Sequence, residues 1–439
     1  MKKFCLQALL LSALLLCPVS ASAAATAFTM EQAVAQAMKA NPGVESKLLM
    51  LESARMNMGV AASYFLPRVS LVATTNRIKN YAEVQTYNSD NLSSKNWSQG
   101  WRASLSLFAG FAHLNNLQKS RLNAESEKAR HQQARLELGA NVQLQFLQLL
   151  KYREDLKSAR ESVRRIETQL QAAEAFVKVG MAPYVNVLQN QTELSSAQQQ
   201  VIRVQNDIRN AEVQLNAYLG LSPTDDVRYT GRLNDYASTV AYSEEEALKI
   251  ALRQRPDLIM AQKSVEIARK DMHMAMGRYL PSVDATYDNM SVSKDYDDKR
   301  YDGYTRNYWA AGLQFNWEVF SGGGTTFETL AERKRAQALQ KEYEDAMSGA
   351  RTEVIRALLD IRAARELTTA SRKGVEAARE SYAMANKRYM TNTGTITELL
   401  DAQHKLTQAE TDASQALTEF QGARARFFYY IGRENPGLR

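Results

Sequence analysis

Trp309-Ala310-Ala311-Gly312-Leu313-Gln314-Phe315-Asn316-Trp317-Glu318-Val319 changes character residue by residue. Trp309, Ala311, Leu313, Phe315, Trp317 and Val319 fall on one face, while Gly312, Gln314, Asn316 and Glu318 fall on the other. A period of two is the geometry of a strand, whose successive side chains point to opposite sides, so a two-faced strand is predicted over about 308–320. Trp101, Ala103, Leu105 and Leu107, opposite Arg102, Ser104 and Ser106, predict a second over about 100–109. Weaker alternation in Val69-Ser70-Leu71-Val72-Ala73 and Val283-Asp284-Ala285-Thr286-Tyr287 supplies their hairpin partners, over about 67–78 and 281–292. Between the partners, Lys79 to Asn96 and Lys294 to Asn307 are rich in Asn, Asp, Ser and Tyr and read as loops in water.

Each hairpin runs into a proline-free helical stretch, from about His113 to Lys178 and from about Thr325 to Tyr389. At 1.5 Å per residue each is on the order of 100 Å long. Leu149, Tyr152, Leu156, Ala159, Val163, Ile166, Leu170, Ala173 and Val177 step by three and four, which is a heptad seam. A turn containing Gly180 and Pro183 reverses the chain, and Val187, Asn190, Leu194, Ala197, Val201, Val204, Ile208, Ala211, Leu215 and Tyr218 return in the same spacing. Leu399, Ala402, Leu406, Ala409, Ala413, Ala416, Phe420, Ala423, Phe427 and Tyr430 do so again.

The chain is therefore one unit written twice. Phe28-Thr29, Ala33-Val34 and Asn41-Pro42 recur as Tyr242-Ser243, Ala247-Leu248 and Arg255-Pro256. Tyr64-Phe65-Leu66-Pro67 matches Arg278-Tyr279-Leu280-Pro281, and Tyr218-Leu219-Gly220 matches Tyr430-Ile431-Gly432. The first repeat is 24–230, with a long helical hairpin over 113–218; the second is 231–439, with its hairpin over 325–431. Each opens with a helix interrupted by Pro42 or Pro256.

Lys2 and Lys3 precede an apolar run from Ala8 to Leu16, and Ala21-Ser22-Ala23 offers a small-residue cleavage site, so 1–23 reads as a secretory signal peptide. Both cysteines, Cys5 and Cys17, lie inside it, leaving no thiol for a disulfide or metal site in the exported protein. Lipidation at Cys17 lacks the small residue wanted beside it, because Leu14, Leu15 and Leu16 precede it. The formal charge of +7 is spread over helical faces without a basic block, which argues against a nucleic-acid partner.

Four strands with one apolar face cannot close a barrel, since the smallest membrane barrels need about eight. Closure removes the edges that a bilayer does not tolerate, so the chain must assemble, and three copies supply twelve strands. Trp101, Trp309 and Trp317 suit interfacial aromatic belts. The long helices carry charge on every turn and must project into the periplasm. The rival reading is a soluble periplasmic coiled-coil adaptor or scaffold without a pore; the apolar face from Trp309 to Val319 discriminates against it.

The duplicated plan, the paired helices before each strand pair and the long hairpins resemble the TolC family of outer-membrane efflux proteins over essentially the whole exported chain. That resemblance implies a mainly α protein with a membrane β-barrel portion: a homotrimer with a 12-stranded barrel and an α-helical periplasmic tunnel. It implies the exit duct of a tripartite efflux or type I secretion system, opened by a periplasmic adaptor protein and an inner-membrane pump of RND or ABC type, with outer-membrane lipid around it and no cofactor. Val179-Gly180-Met181 is similar to the family's adaptor-contact tip, whereas the second tip, Asn392-Thr393-Gly394, departs from it. Glu398 and Asp401 match carboxylates that ring the family's closed entrance, where three copies would favour cations. Ordinary solvated acids near a helix start are the other reading of that pair. Tyr389 and Asn186 match gate-constraining positions, but the family's arginine falls on Gly394.

His113, His131, His273 and His404 have no metal-ligand spacing, and Met272, Met274 and Met276 do not share a helix face. Gly322-Gly323-Gly324 lacks the lysine of a phosphate loop and reads as a strand-to-helix turn. No nucleophile, base and orienting group assemble into a catalytic motif, so an enzyme is not expected.

Overall fold

A computed structural model describes residues 27–80, 92–233, 242–297, 299 and 302–435. The signal peptide read over 1–23, with both cysteines, lies outside the described residues.

Each repeat opens with two consecutive helices: α1 (Met30–Ala40) and α2 (Pro42–Ser63), then α5 (Glu244–Gln254) and α6 (Pro256–Gly277). Proline sets the break, because it starts a helix well but cannot donate to the one before it. Thr29 with Gln32, and Ser243 with Glu246, close capping boxes at the entries. At the break Asn41 Nδ2 donates to the Tyr218 carbonyl at 3.0 Å. In the second repeat Arg255 reaches the matching Tyr430 carbonyl at 3.4 Å and pairs with Asp257 at 2.7 Å and Glu353 at 2.6 Å. The same joint is tied by an amide in one repeat and by an ion-paired guanidinium in the other.

β1 (Ala27–Phe28) pairs in parallel with β4 (Arg228–Tyr229) and closes the first repeat at mid-height. The other strands, β2 (Arg68–Asn80), β3 (Leu92–Ala109), β5 (Ser282–Tyr296) and β6 (Tyr304–Asn316), form one antiparallel sheet in the order β2-β3-β5-β6. Leu71, Trp101, Asn289 and Trp309 stand in one row across it, and Val69, Ala103, Tyr287 and Ala311 in the next. The Tyr287 ring stacks on Trp101 (centroids 5.0 Å apart) and on Trp309 (6.2 Å), making an aromatic ladder on the apolar face. On the polar face Arg102 pairs with Asp288 at 2.5 Å.

Two boundary readings need correction. The stretches read as loops, 79–96 and 294–307, are partly strand: β3 begins at Leu92, β5 runs to Tyr296 and β6 begins at Tyr304. Backbone ladders need no apolar side chains, so polar residues extend the hairpins beyond the apolar band. Conversely, β6 stops at Asn316, and Trp317 and Val319, read as strand, lie beyond it. Asn316 pairs with Ser282, and the residue before Ser282 is Pro281, which has no amide to continue the ladder.

α3 (Ala112–Lys178) and α7 (Gly324–Met390) have 67 residues each, about 100 Å. α4 (Val185–Tyr218) and α8 (Ile396–Tyr430) return about half that distance, and α2 and α6 cover the remainder of α3 and α7. α3 also packs on α6 and α8, which joins the repeats side by side. Among the described residues no helix is long and apolar enough to cross a membrane. Seam residues form the cores. One cluster gathers Ala33, Phe146, Leu149, Ala211 and Leu215 around α1, α3 and α4, and its counterpart gathers Ala247, Val354, Ile361, Phe420 and Phe427 around α5, α7 and α8. At the rim below the sheet the backbones of Gly110 and Gly277 cross. A Cβ on Gly277 would lie 2.2 Å from the Gly110 carbonyl oxygen, so the crossing requires glycine.

Candidate entrance site at the hairpin tips

Both tips are built on the same turn. Gly180 (φ 76°) donates to Val177 and Met181 to Phe176; Asn392 (φ 56°) donates to Tyr389 and Thr393 to Arg388. This is the Schellman arrangement, with Asn taking the left-handed position that Gly holds in the first tip. The surfaces differ. Val179, Met181, Tyr184 and Val185 are exposed around the first tip. In the second, Thr391 Oγ1 donates to the Lys387 carbonyl at 3.0 Å and Thr393 Oγ1 to the Arg388 carbonyl at 3.1 Å, so the hydroxyls are turned onto their own backbone.

Thr395 caps α8 by accepting from the Glu398 amide at 3.2 Å, which places Glu398 and Asp401 one turn apart at the helix start. Each exposed carboxylate has a cation from its own chain: Arg388 lies 3.5 Å from Glu398 and Lys405 2.7 Å from Asp401. A Cβ at Gly394 would sit 3.0 Å from Arg388 Cβ and 3.3 Å from Glu398 Oε2. The absent side chain there thus leaves room for Arg388, from the end of α7, to reach Glu398.

Tyr389 is 4% exposed, and its ring meets Phe176 edge-on at 5.9 Å over a small core with Ile396 and Leu399. Burial pushes its hydroxyl above the ordinary tyrosine pKa, and the neighbouring Asn186 side chain opposes the shift. Among the described residues no hydrogen bond of ordinary geometry closes on that hydroxyl. The two predicted gate positions are thus brought together without a formed bond.

The connections that bind the hairpins to one another near their tips lie elsewhere. Gln169 Nε2, on α3, donates to Gln403 Oε1, on α8, at 2.7 Å and lies 3.2 Å from the Tyr382 hydroxyl of α7. Gln403 Nε2 donates to Ser162 Oγ at 3.3 Å. Gln169 is 1% exposed and Gln403 4%, so the amide pair is sealed from water. Arg165 of α3 reaches Glu410 of α8 at 3.8 Å and lies 5.7 Å from the Tyr382 ring centroid. These residues flank the apolar seam and look like solvated helix surface in sequence; only the packing of α3 on α8 turns them inward.

Trp101 and Trp309 occupy one row of the apolar face. Trp317, beyond β6, is anchored by its indole N–H to the Tyr279 carbonyl at 3.1 Å.

A four-stranded antiparallel sheet with one aromatic face, set above two helical hairpins built on helices about 100 Å long, is the plan of a duplicated outer-membrane channel subunit, the class to which its relatives assign it. Residues 33–221 and 247–433 each match the family described as outer membrane efflux protein, and the chain belongs to that family. The two matches fall on the two repeats. The chain is 24% identical over 407 residues to the outer membrane protein TolC of Vibrio cholerae, covering 91% of this chain and 89% of that one. It is 22% identical to the alkaline protease secretion protein AprF of Pseudomonas aeruginosa, over 90% of this chain and 82% of the relative. Its fold superposes on the outer-membrane channel OprN with a TM-score of 0.80 at 21% identity, covering 93% and 91% of the two chains. For VceC of Vibrio cholerae the TM-score is 0.78 at 14% identity, covering 92% and 96%. The protein is an outer-membrane efflux channel whose helices extend into the periplasm.

Proposed function

We propose that three copies close into a passive exit duct, with a twelve-stranded barrel in the outer membrane and a helical tunnel in the periplasm. The observation that carries this reading is the four-stranded sheet: one face carries Leu71, Trp101, Tyr287, Trp309 and Leu313, and its edges β2 and β6 have no strand partner among the described residues. A soluble scaffold gives no reason for such a face. Relatives named for alkaline protease secretion and for pyoverdine export support a conduit in a secretion or efflux assembly. The exposed apolar first tip, Val179-Gly180-Met181, suits contact with a periplasmic adaptor, whereas the second tip satisfies its own hydroxyls and offers less apolar surface. An inner-membrane pump of RND or ABC type energises transport, and the duct opens by a shift in population as the α7–α8 hairpin parts from α3 and α4.

At the entrance, Glu398 and Asp401 form an acidic ring whose local cations, Arg388 and Lys405, moderate its field. Tyr389 beside Asn186 constrains the closed state through packing. The test is single-channel recording in planar bilayers on the purified protein and on Glu398→Gln/Asp401→Asn. The reading expects a small cation-selective conductance that loses selectivity in the variant. A protein that stays monomeric, water-soluble and without conductance would sink it.

A further inference from the structure

Positive charge that is scattered along the sequence gathers at one place between the repeats. Lys128, His131 and Arg135 share a face of α3, at spacings of three and four residues. Across an open cleft of about 780 Å³ stand Arg253, near the end of α5, and Arg433, in the loop that follows α8. Four permanent cations thus meet one carboxylate, that of Glu434. Arg135 holds Glu434 at 3.2 Å, and Arg433 donates to the Gln254 amide oxygen at 2.7 Å. Lys128 and Arg253 have no ion pair among the described residues. Acids nearby on the same helices are already engaged: Glu125 by Lys263 at 2.9 Å, Glu127 by Arg130 at 2.5 Å, and Asp257 by Arg255 at 2.7 Å.

Two further observations set the cluster apart from ordinary solvated surface. Burial, and after it the Arg135 guanidinium, push the His131 imidazole below its ordinary pKa, as happens where cations crowd. The duplicated plan, moreover, does not require these charges. α3 and α7 are equal in length, so Lys128, His131 and Arg135 match Gln340, Tyr343 and Met347. Arg433 and Glu434, just after Gly432, match Leu221 and Ser222, just after Gly220, and Arg253 matches Lys39. The five basic positions therefore keep a single cation in the other copy of the unit. The backbone joint is nevertheless the same: a Cβ on Gly432 would lie 2.8 Å from the Gln254 carbonyl oxygen, and one on Gly220 would lie 2.5 Å from that of Ala40. Crowded like charges repel, so the joint would form at lower cost without them.

We propose that this cleft binds a compact multivalent anion presenting clustered phosphate or carboxylate oxygens, which neutralises the cations and pins the loop after α8 to α3 and α5. Guanidinium groups suit such oxygens because each can donate two parallel hydrogen bonds. The ligand comes from water and not from the membrane. α3 begins below the sheet at Ala112, and at 1.5 Å per residue Lys128 and Arg135 lie about 24 and 35 Å farther down, beyond the reach of a lipid headgroup. The walls of the cleft all belong to one chain, so the site goes beyond the exit-duct reading and does not depend on the closed ring.

The experiment is isothermal titration calorimetry of the purified protein in a chloride buffer of low ionic strength, with inorganic pyrophosphate and, separately, citrate. The expected result is one saturable site per chain for at least one of the two anions, weakened by added salt as the charges are screened. Arg253→Gln/Arg433→Gln should weaken that binding roughly tenfold or more, since hydrogen bonds to charged groups are the strong ones. Lys39→Gln, at the matching place in the first repeat, should leave it unchanged. Saturating anion should also raise the thermal midpoint of the unmodified protein and not that of the double variant. Lys128→Gln, which alters an unpaired and exposed side chain, repeats the comparison should the double variant fail to fold. No saturable heat from either anion at about 1 mM overturns the site. Undiminished affinity in a folded cleft variant overturns it too, as does equal weakening by Lys39→Gln, which would reduce the binding to general attraction by surface charge.

Discussion

Replacing Gln403 by Ala should loosen the entrance without unfolding the duct. The side chain accepts from Gln169 at 2.7 Å and donates to Ser162 at 3.3 Å, in a pocket from which water is excluded. Gln169 retains the Tyr382 hydroxyl at 3.2 Å, so the substitution strands part of its amide rather than all of it. Leaving buried polar groups short of a partner costs about 1–3 kcal/mol. The pair connects α3 to α8, so the cost falls on the state in which the hairpins are docked. It should shift the balance between docked and parted by about 5-fold to 150-fold. The assay is open probability in planar bilayers for Gln403→Ala, Gln169→Ala and the double variant. The two effects should be non-additive by about 0.5 kcal/mol or more, because the residues share one bond. Unchanged open probability in all three, or strict additivity, would refute the coupling.

Tyr229→Phe should lower the thermal midpoint, since the Tyr229 hydroxyl donates to Asn216 Oδ1 at 2.5 Å in a buried site and its loss strands that oxygen at about 1–3 kcal/mol. Gly277→Ala should reduce the yield of folded protein, because the new methyl meets a backbone oxygen that no side-chain rotation can move; Ser63→Ala, at the matching place in the first repeat, should be tolerated. Burial raises the Asp257 carboxyl, but the Arg255 guanidinium outweighs that and holds it below the usual range. A depressed carboxyl lends stability that is fully present above its unfolded value, near 4, and is lost as pH falls through its folded one. Asp257→Asn should therefore flatten the acid side of the melting-temperature profile, by less than about 1 kcal/mol because the carboxylate is partly exposed.

Helices and duplication were legible because their signals are local. Seam spacing marks a helix wherever it lies, and Leu149, Val204 and Phe420 are buried as that spacing requires. Trp317 was misread for the opposite reason. Its alternation is real, but strand status belongs to a pair, and Pro281 ends the partner available within the chain. Polar residues such as Asn96 and Lys294 gave no strand signal because they pair through backbone alone. At the hairpin tips, the roles expected of Glu398, Asp401 and Tyr389 come from resemblance alone, and the contact of Arg388 with Glu398 beside Gly394 was not legible, because those residues are neighbours only across the turned tip. Gln169 and Gln403 are 234 residues apart, and no spacing rule joins them.

Electron cryomicroscopy of the protein in lipid nanodiscs tests the central claim most directly. The expected particle has three-fold symmetry, twelve strands within the disc, and a helical tube reaching about 100 Å from one face. Single chains beside empty discs, or a sheet lying outside the lipid, would contradict it.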